Sequence, residues 1–535
     1  MKDYLFSINP LLHPTSYLPK ILFTVRYTLN AVRCFKMMTF DELLKLVRSP
    51  DRPRLCDDSR LVCPGDIFVA VKGPNVDGHD FIPTALANGA KYIVCQNQYT
   101  GHESRVTGHV VVPVPDSSLA LASLAQASAG DPALKLTNLA VTGTNGKTTV
   151  AFLVRSCFQA ANQKCGLIGT VIYDTGLAVT NAELTTPDCL TIAEAQSQML
   201  MAGAKYMVIE ASSHALDQNR LAAVNFKAAA FTNLTGDHLD YHKTTENYLA
   251  AKSKLFENLA PGSTAILNKQ SPYAQQIAQY TKAKVLFFAV DDDADLSARI
   301  ESIDISGTTF TLRYQGQNIR IKTPLLGRYN VANHLAATGL CIAAGLNLKT
   351  IARGLAALNA IPGRLEKVPS QSGFTVLVDY AHTDDALYNV LSTLKPLCKA
   401  KLIVVFGCGG DRDKTKRPRM AKVVEQFADL AIVTSDNPRT ENPNDIITQI
   451  TAGFTDVSWH GLGARENTAK MAVPPSKIKV EPDRRKAIAL AIESAQKNDV
   501  VLIAGKGHEN YQIIGKQKFP FSDKQIALDL LKNKK

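Results

Sequence analysis

The sequence predicts an α/β protein built as three consecutive domains, and three observations carry that prediction. Its 535 residues exceed what one hydrophobic core organises, at about 150 residues per domain. Short apolar runs alternate with segments of helical period, the pattern of parallel strands joined by helical crossovers. An apolar run at 139–141 also leads through a glycine-rich turn, Gly143-Thr-Asn-Gly-Lys-Thr-Thr149, into a helical segment at 150–158, the strand–turn–helix order of a phosphate-binding loop. The expected domains are a small α/β unit at 38–133, a P-loop unit with a parallel sheet at 134–360, and a Rossmann-like α/β unit at 361–535. Residues 1–37 are expected to be a non-core N-terminal extension.

Bulk composition narrows the function classes. Hydrophobic residues make up 45% and charged residues 20%, as in ordinary soluble globular proteins. The net charge of +12 would suit a polyanion, but the cations are scattered and no basic cluster is interleaved with aromatics. Nucleic acid is therefore not expected, and anionic small substrates account for the charge equally well. The ten cysteines include no C-x-x-C pair, so neither a zinc site nor a disulfide framework is expected, and a reducing cytoplasm is. No apolar run approaches the ~18 residues a membrane span requires.

Residues 1–36 carry Lys2, Lys20, Arg26, Arg33 and Lys36 against the single acid Asp3, and Arg26 cuts short the apolar run 21–25. That run is too short for a signal h-region; the segment reads either as a targeting arm or, preferred, as a non-native or mis-called extension, with the working protein expected to begin near Met37 or Met38. An amphipathic helix follows at 40–47. Strand-like runs at 66–71, 90–95 and 109–113, with a helical pattern at 81–88, form the first unit. Ser59 sits in a turn and Pro74, Asn75 and Val76 in a loop after a strand, which is either plain turn chemistry or binding. A helix at 119–129 ends before the boundary Asp131-Pro132.

In the P-loop, Gly143 and Gly146 let backbone N–H groups approach an anion, and the helix behind them favours negative charge. Lys147 would reach the β- and γ-phosphates and the Thr148 hydroxyl would hold Mg²⁺. One departure stands out: Val141 occupies the first glycine position of G-x-x-x-x-G-K-T. Glu210 ends the strand-like run 204–210, at the edge where open α/β sheets gather ligands. The run 228–234 leads to Asp237-His-Leu-Asp-Tyr-His242, dense in metal-ligating types. Lys252, on a helical stretch at 247–256, reads by itself as a solvated lysine. Residues 285–325 turn β-rich, with alternation at 308–314. A helix opening at 327 carries Asn330 and Asn333 on one face. Beyond the linker Ala360-Ile-Pro-Gly-Arg364, strands at 375–379, 401–406, 430–434 and 500–504 each end in a polar loop. Four such loops at one carboxyl edge converge on a single crevice.

Together these residues resemble the Mur ligase family over about 38–530, on Gly143-Thr-Asn-Gly-Lys-Thr-Thr149, Glu210-Ala-Ser-Ser-His214, Thr232-Asn-Leu-Thr-Gly-Asp-His-Leu-Asp240, Tyr329-Asn-Val-Ala-Asn333, Asp379-Tyr-Ala-His-Thr383 and Asp436-Asn-Pro-Arg439. The resemblance implies an ATP-dependent ligase of peptidoglycan precursor synthesis that adds meso-diaminopimelate to a uridylylated sugar-dipeptide, UDP-N-acetylmuramoyl-L-alanyl-D-glutamate. It implies that Thr148, Glu210 and His238 hold Mg²⁺, and that Lys252 is carbamylated and bridges to a second Mg²⁺. Gly143, Thr144, Asn145, Gly146, Lys147, Thr148, Thr149, Asn330, Asn333, Arg364 and Asp379 would bind ATP, with Lys147, Glu210, His238 and Lys252 as the catalytic set. Ser59, Pro74, Asn75, Val76, Thr185, Thr186, Ser212, Gln218 and Arg220 would bind the uridylylated substrate. Arg412, Asp436, Asn437, Pro438, Arg439, Gly505 and Glu509 match the positions used by diaminopimelate-adding members. Arg439 would grip the distal carboxylate that lysine lacks, and Glu509 with Gly505 the distal ammonium. The enzyme is expected to act as a monomer, closing at 360–363. A lysine-adding member, a folylpolyglutamate synthetase-like ligase and a non-catalytic nucleotide-binding scaffold are the competing readings. The last would not be expected to keep Lys147, Glu210, His238 and Lys252 together.

Overall fold

A computed structural model describes residues 36–74, 76–96, 108–455 and 477–533, and these form three α/β units, each built on its own sheet. The first sheet is wholly parallel, in the order Lys36–Met37, Val110–Val114, Tyr92–Gln96, Ile67–Val69, Leu55–Cys56. Its edge strand begins at Lys36, inside the segment expected to be an extension: Lys36 and Met37 pair with Val110 and Val111. A two-residue edge strand is held by backbone hydrogen bonds and leaves no apolar period in the sequence. The helix Phe40–Val47 lies where expected. Thr39 and Glu42 form a reciprocal capping box at its start, and Leu43 and Val47 are buried.

The central sheet has eleven strands. Thr137–Thr142 lies between Phe226–Phe231 and Tyr206–Glu210, all parallel. Leu139, Ala140 and Val141 are fully buried, which explains an apolar run without alternation. Val141 is still inside this strand, and its carbonyl accepts the N–H of Ala211 at 2.8 Å. The chain first takes a positive φ at Gly143, beneath the Thr232 hydroxyl and the Asn233 backbone, where a Cβ would collide. No glycine is needed earlier, which accounts for the departure at Val141. The sheet is not parallel throughout. Antiparallel strands close one side (Leu296–Asp304, Gly307–Tyr314, Gln317–Thr323) and the other (Cys165–Ile168, Ile172–Asp174, Val179–Asn181). The alternation at 308–314 was the visible sign of the first; the short strands of the second leave too few residues for one.

The helix Arg328–Ala343 packs on this sheet and buries His334 completely. The His334 Nδ1–H donates to the Asn330 carbonyl at 2.6 Å, which leaves Nε2 as a buried acceptor without a partner. Burial pushes the imidazole from its ordinary 6.5 down to about 4. The unfolded chain therefore takes up a proton that the folded one refuses as pH falls from 6.5 to 4. Stability is expected to decline across that window, with this one group contributing about 3 kcal/mol by pH 4. Urea unfolding of His334→Gln should give a flatter pH dependence there; an unchanged slope would refute the assignment.

The third sheet runs Glu366–Val368, Thr375–Asp379, Val500–Ala504, Leu402–Phe406, Leu430–Val433, Ile478–Val480. Only its first pairing is antiparallel. Helices Asp384–Leu394, Lys416–Phe427 and Pro443–Thr451 cover one face, and Arg484–Ser494 and Asp523–Asn533 the other. Asp379 lies level with Ala504 on the neighbouring strand, so the loops that follow them leave one edge side by side. Gly363, expected in the hinge, is tied into this unit: its N–H donates to Glu366 and its carbonyl accepts from Tyr380. Among the described residues no helix is long and apolar enough to cross a membrane.

Candidate active site

A cavity of about 590 Å³ opens between the carboxyl edge of the central sheet and the third unit. Thr144 to Thr149, Glu210, His238, Asn330, Asn333, Arg364 and Asp379 all line it. The Lys147 ammonium donates to the carbonyls of Gly143 and Thr144, both at 2.9 Å. The Thr148 hydroxyl donates to Glu210 Oε2 at 3.0 Å and accepts from Arg364 Nη2 at 3.2 Å. Glu210 is fully buried and also receives the Thr170 backbone N–H at 2.8 Å and its hydroxyl at 2.9 Å. Thr170 escaped notice in the sequence, although it follows a strand at the edge where ligands collect.

Lys252 does not behave as a solvated helix lysine. It projects from the helix Thr245–Glu257, is 1% exposed, donates to the same Gly143 carbonyl at 3.0 Å and lies 4.5 Å from the centre of the Tyr248 ring. Burial and then the neighbouring Lys147 charge hold it well below its ordinary 10.5, and Asp237 offsets only part of this. Both effects favour the uncharged form of the Lys252 amine beside the phosphate loop.

The run 237–242 does not act as one metal cluster. Asp237 and His238 line the cavity, and desolvation lowers the His238 imidazole to about 4 despite Asp237 beside it. His242 is instead buried against the Ser213 hydroxyl at 2.9 Å and the Tyr248 ring. Both imidazoles lie against the rings of His214 and Tyr248, but of the two only His238 lines the cavity. Among the described residues no three His, Cys, Asp or Glu side chains gather as a metal site.

On the opposite wall, Asn333 Nδ2 donates to Asn330 Oδ1 at 3.1 Å, and Asn330 Nδ2 to the Leu326 carbonyl at 2.8 Å. Asp379 accepts the N–H groups of Leu365 at 2.6 Å and Ala381 at 2.7 Å. Arg364 lies 4.8 Å over the Tyr380 ring, and its Nε is buried without a partner. A residue missed in the sequence closes this wall: Asp385 Oδ2 accepts Asn145 Nδ2 at 2.8 Å and the Thr235 hydroxyl at 3.2 Å. The third unit thus grips the phosphate loop directly. Asp385→Ala is expected to raise KM for ATP about tenfold, the loss of a hydrogen bond to a charged group, with little change in KM for the other substrates. Equal rises in all three would refute the contact's role.

The residues expected at the sugar-dipeptide divide into two places. Thr186 donates to the Glu210 carbonyl at 2.6 Å and to Ser212 Oγ at 3.1 Å, and Arg220 reaches the Thr186 carbonyl at 2.7 Å and Gln218 Oε1 at 2.7 Å. Thr185 lines the cavity beside them. Ser59, Pro74 and Val76 belong to the first unit and do not line that cavity. Ser59 is buried, Val76 is exposed, and Asn75 lies outside the described residues.

The amino-acid set gathers at the same edge of the third sheet. Asn437 Nδ2 donates to Glu509 Oε2 at 2.9 Å. A Cβ at Gly505 would lie 2.7 Å from Asp436 Oδ2, so only glycine fits there. Arg439, at φ 51, donates to the Gly410 carbonyl at 2.7 Å, and the Pro438 carbonyl accepts from Glu441. Arg412 is exposed and donates to the Asp411 carbonyl at 2.8 Å. Tyr380 joins the two groups, with the Arg364 guanidinium on its ring and the His508 ring 5.2 Å away, next in sequence to Glu509.

Comparison with known proteins matches residues 55–129 to the Mur ligase family catalytic domain, 141–341 to the Mur ligase middle domain and 363–507 to the Mur ligase glutamate ligase domain. The UDP-N-acetylmuramoyl-L-alanyl-D-glutamate--2,6-diaminopimelate ligase of Geobacillus thermodenitrificans is 41% identical over 493 residues, 91% of this chain and 96% of the relative. The chain belongs to the Mur ligase family. A solved structure of a ligase of that same name superposes on this Mur ligase with a TM-score of 0.62, at 33% identity, covering 91% of this chain and 96% of that one. This Mur ligase also shares its fold with the folylpolyglutamate synthase of Mycobacterium tuberculosis, at a TM-score of 0.58 and 19% identity over 72% of the chain and 92% of the synthase.

Proposed function

We propose that this Mur ligase joins meso-diaminopimelate to UDP-N-acetylmuramoyl-L-alanyl-D-glutamate, converting ATP to ADP and phosphate, as a step of peptidoglycan precursor synthesis. The names of its 40%-range relatives support the substrates. The observation that carries the chemistry is the pairing of Lys147 and Lys252 on one carbonyl of the phosphate loop. Burial and the neighbouring Lys147 charge favour the uncharged form of Lys252, and a neutral amine is the form that attacks carbon dioxide. An N–C bond forms, one proton is released, and Lys252 becomes an anion facing the Lys147 cation.

The D-glutamyl carboxylate attacks the γ-phosphorus of ATP, the bond to ADP breaks, and an acyl phosphate results. The Lys147 ammonium and the N–H groups of the loop meet the developing charge. Arg364 brings its unpartnered Nε to the same place from the third unit. The diaminopimelate amine then attacks the acyl carbon, phosphate departs from the tetrahedral intermediate, and the amine loses a proton. No protein nucleophile takes part. The protein's contribution is positioning, which supplies about 7–11 kcal/mol in well-oriented reactions. The donor set fits Mg²⁺: the Thr148 hydroxyl and the Glu210 carboxylate offer two hard oxygens 3.0 Å apart, and this ion commonly takes few protein ligands, with phosphates and water completing the shell. His238, neutral at working pH, and a carbamylated Lys252 would extend that set. Bound there, Mg²⁺ neutralises phosphate charge. Ser59 and the 74–76 loop would hold the uridine end, and Thr185, Thr186, Ser212, Gln218 and Arg220 the peptide end.

The test is phosphate release with the uridylylated dipeptide, ATP and each amino acid. Release with diaminopimelate and little with lysine is expected. Equal release with lysine would place the chain with the lysine-adding members, and none with either would overturn the reading.

A further inference from the structure

The Lys506 side chain is fully buried at the centre of the amino-acid group. Lysine is almost never fully buried unless paired. Its Nζ donates to Glu509 Oε2 at 2.8 Å and to Asn437 Oδ1 at 3.0 Å, and stands 3.7 Å from Asp436 Oδ1. Two hydrogen bonds and one longer ion pair thus tie the ammonium to residues proposed to read the amino acid. The nearby Arg484 is cancelled by Asp523, with which it forms a wholly buried pair at 2.7 Å. That leaves Asp436, Glu509 and Asp411 against Lys506, Arg439 and Arg412, three carboxylates facing three cations.

We infer that Lys506 is a positioning and specificity-determining residue, which orients Glu509 through one oxygen and holds the pocket in charge balance, so that it favours an amino acid whose distal ammonium is matched by a second carboxylate over one that ends in an ammonium alone. This rests on the proposed reading of the pocket as the diaminopimelate site. With Oε2 occupied by Lys506 and Asn437, Glu509 has Oε1 to offer a distal ammonium, while Arg439 meets the distal carboxylate. Lysine brings the ammonium without the carboxylate and would add an uncompensated cation to a balanced site, a penalty built against the wrong substrate. Removing the Lys506 charge leaves the pocket one negative charge in excess and relaxes that penalty.

The test compares Lys506→Met, which removes charge and donor, with Lys506→Gln, which removes charge but keeps a donor for Glu509. Initial rates of phosphate release are measured with diaminopimelate and with lysine, together with KM for ATP and the thermal midpoint. The expected result in any variant that folds is a fall of at least tenfold in the preference for diaminopimelate over lysine. KM for diaminopimelate should rise and KM for ATP stay within twofold. An unchanged preference in a folded variant, or an equal loss with both amino acids through kcat alone, would overturn the inference. Failure of the unaltered enzyme to release phosphate with diaminopimelate would instead overturn the substrate reading, and this inference with it.

Discussion

Lys252→Ala is expected to lower turnover by three orders of magnitude or more, with part of the rate restored by added formate or acetate. The argument starts from burial. A lysine on the Gly143 carbonyl, 1% exposed and shifted toward its uncharged form beside Lys147, contributes little to folding that alanine could not replace, and the uncharged amine is the form that could gain a carboxylate. If the carbamate supplies the anion that orders the phosphate end, its loss removes an interaction made to the reacting groups, and kcat falls more than KM for ATP. A small carboxylate can enter the space left by the side chain. Intact-mass measurement of the native enzyme, quenched without acid, should show one added carbon dioxide. Full activity of the alanine variant with no additive would defeat the carbamate.

Arg439→Ala is expected to raise KM for diaminopimelate about 100-fold, near 3 kcal/mol, the usual scale for breaking one partner of a desolvated charge pair. Arg439 is partly buried, and desolvation followed by the Arg412 charge lowers its pKa, with Asp436, Glu509 and Asp411 offsetting part of this, so an incoming carboxylate would add a favourable partner for the guanidinium. Its left-handed φ of 51 and the bond to Gly410 fix the fork in place. KM for ATP should change by less than threefold. Equal rises in both constants would mean the guanidinium does not read the amino acid.

The parts of this molecule that were legible in the sequence are those whose physics is local. The phosphate loop announces itself because glycine, lysine and threonine must follow a buried strand in a fixed order, and the third sheet because each strand runs apolar to a polar loop. The parts that were hidden are made by contacts between segments far apart. Asp385 is an ordinary first-turn acid until Asn145, 240 positions earlier, is seen to bond to it. Lys506 reads as a loop lysine until three side chains close round it. Lys252 reads as solvated on a polar helix, and the resemblance, not its neighbours in sequence, singled it out. The run 237–242 erred in the other direction: its composition suggested a cluster, but His238 faces the cavity while His242 is taken up by the Ser213 hydroxyl. The edge strand at Lys36 was invisible because backbone hydrogen bonding, not side-chain pattern, makes it.

The level alignment of Asp379 with Ala504 on adjacent strands bears on how such an enzyme can be inhibited. A molecule with one head at the Asp379 loop and another at the loop 505–509 would span two points of a single stiff sheet, so the tether that suits it stays the same length however the third unit swings. A molecule bridging Lys147 and Asn437 would have to match one particular closure. Tethers of the first kind should therefore bind open and closed enzyme alike, whereas the second kind would trap a single pose.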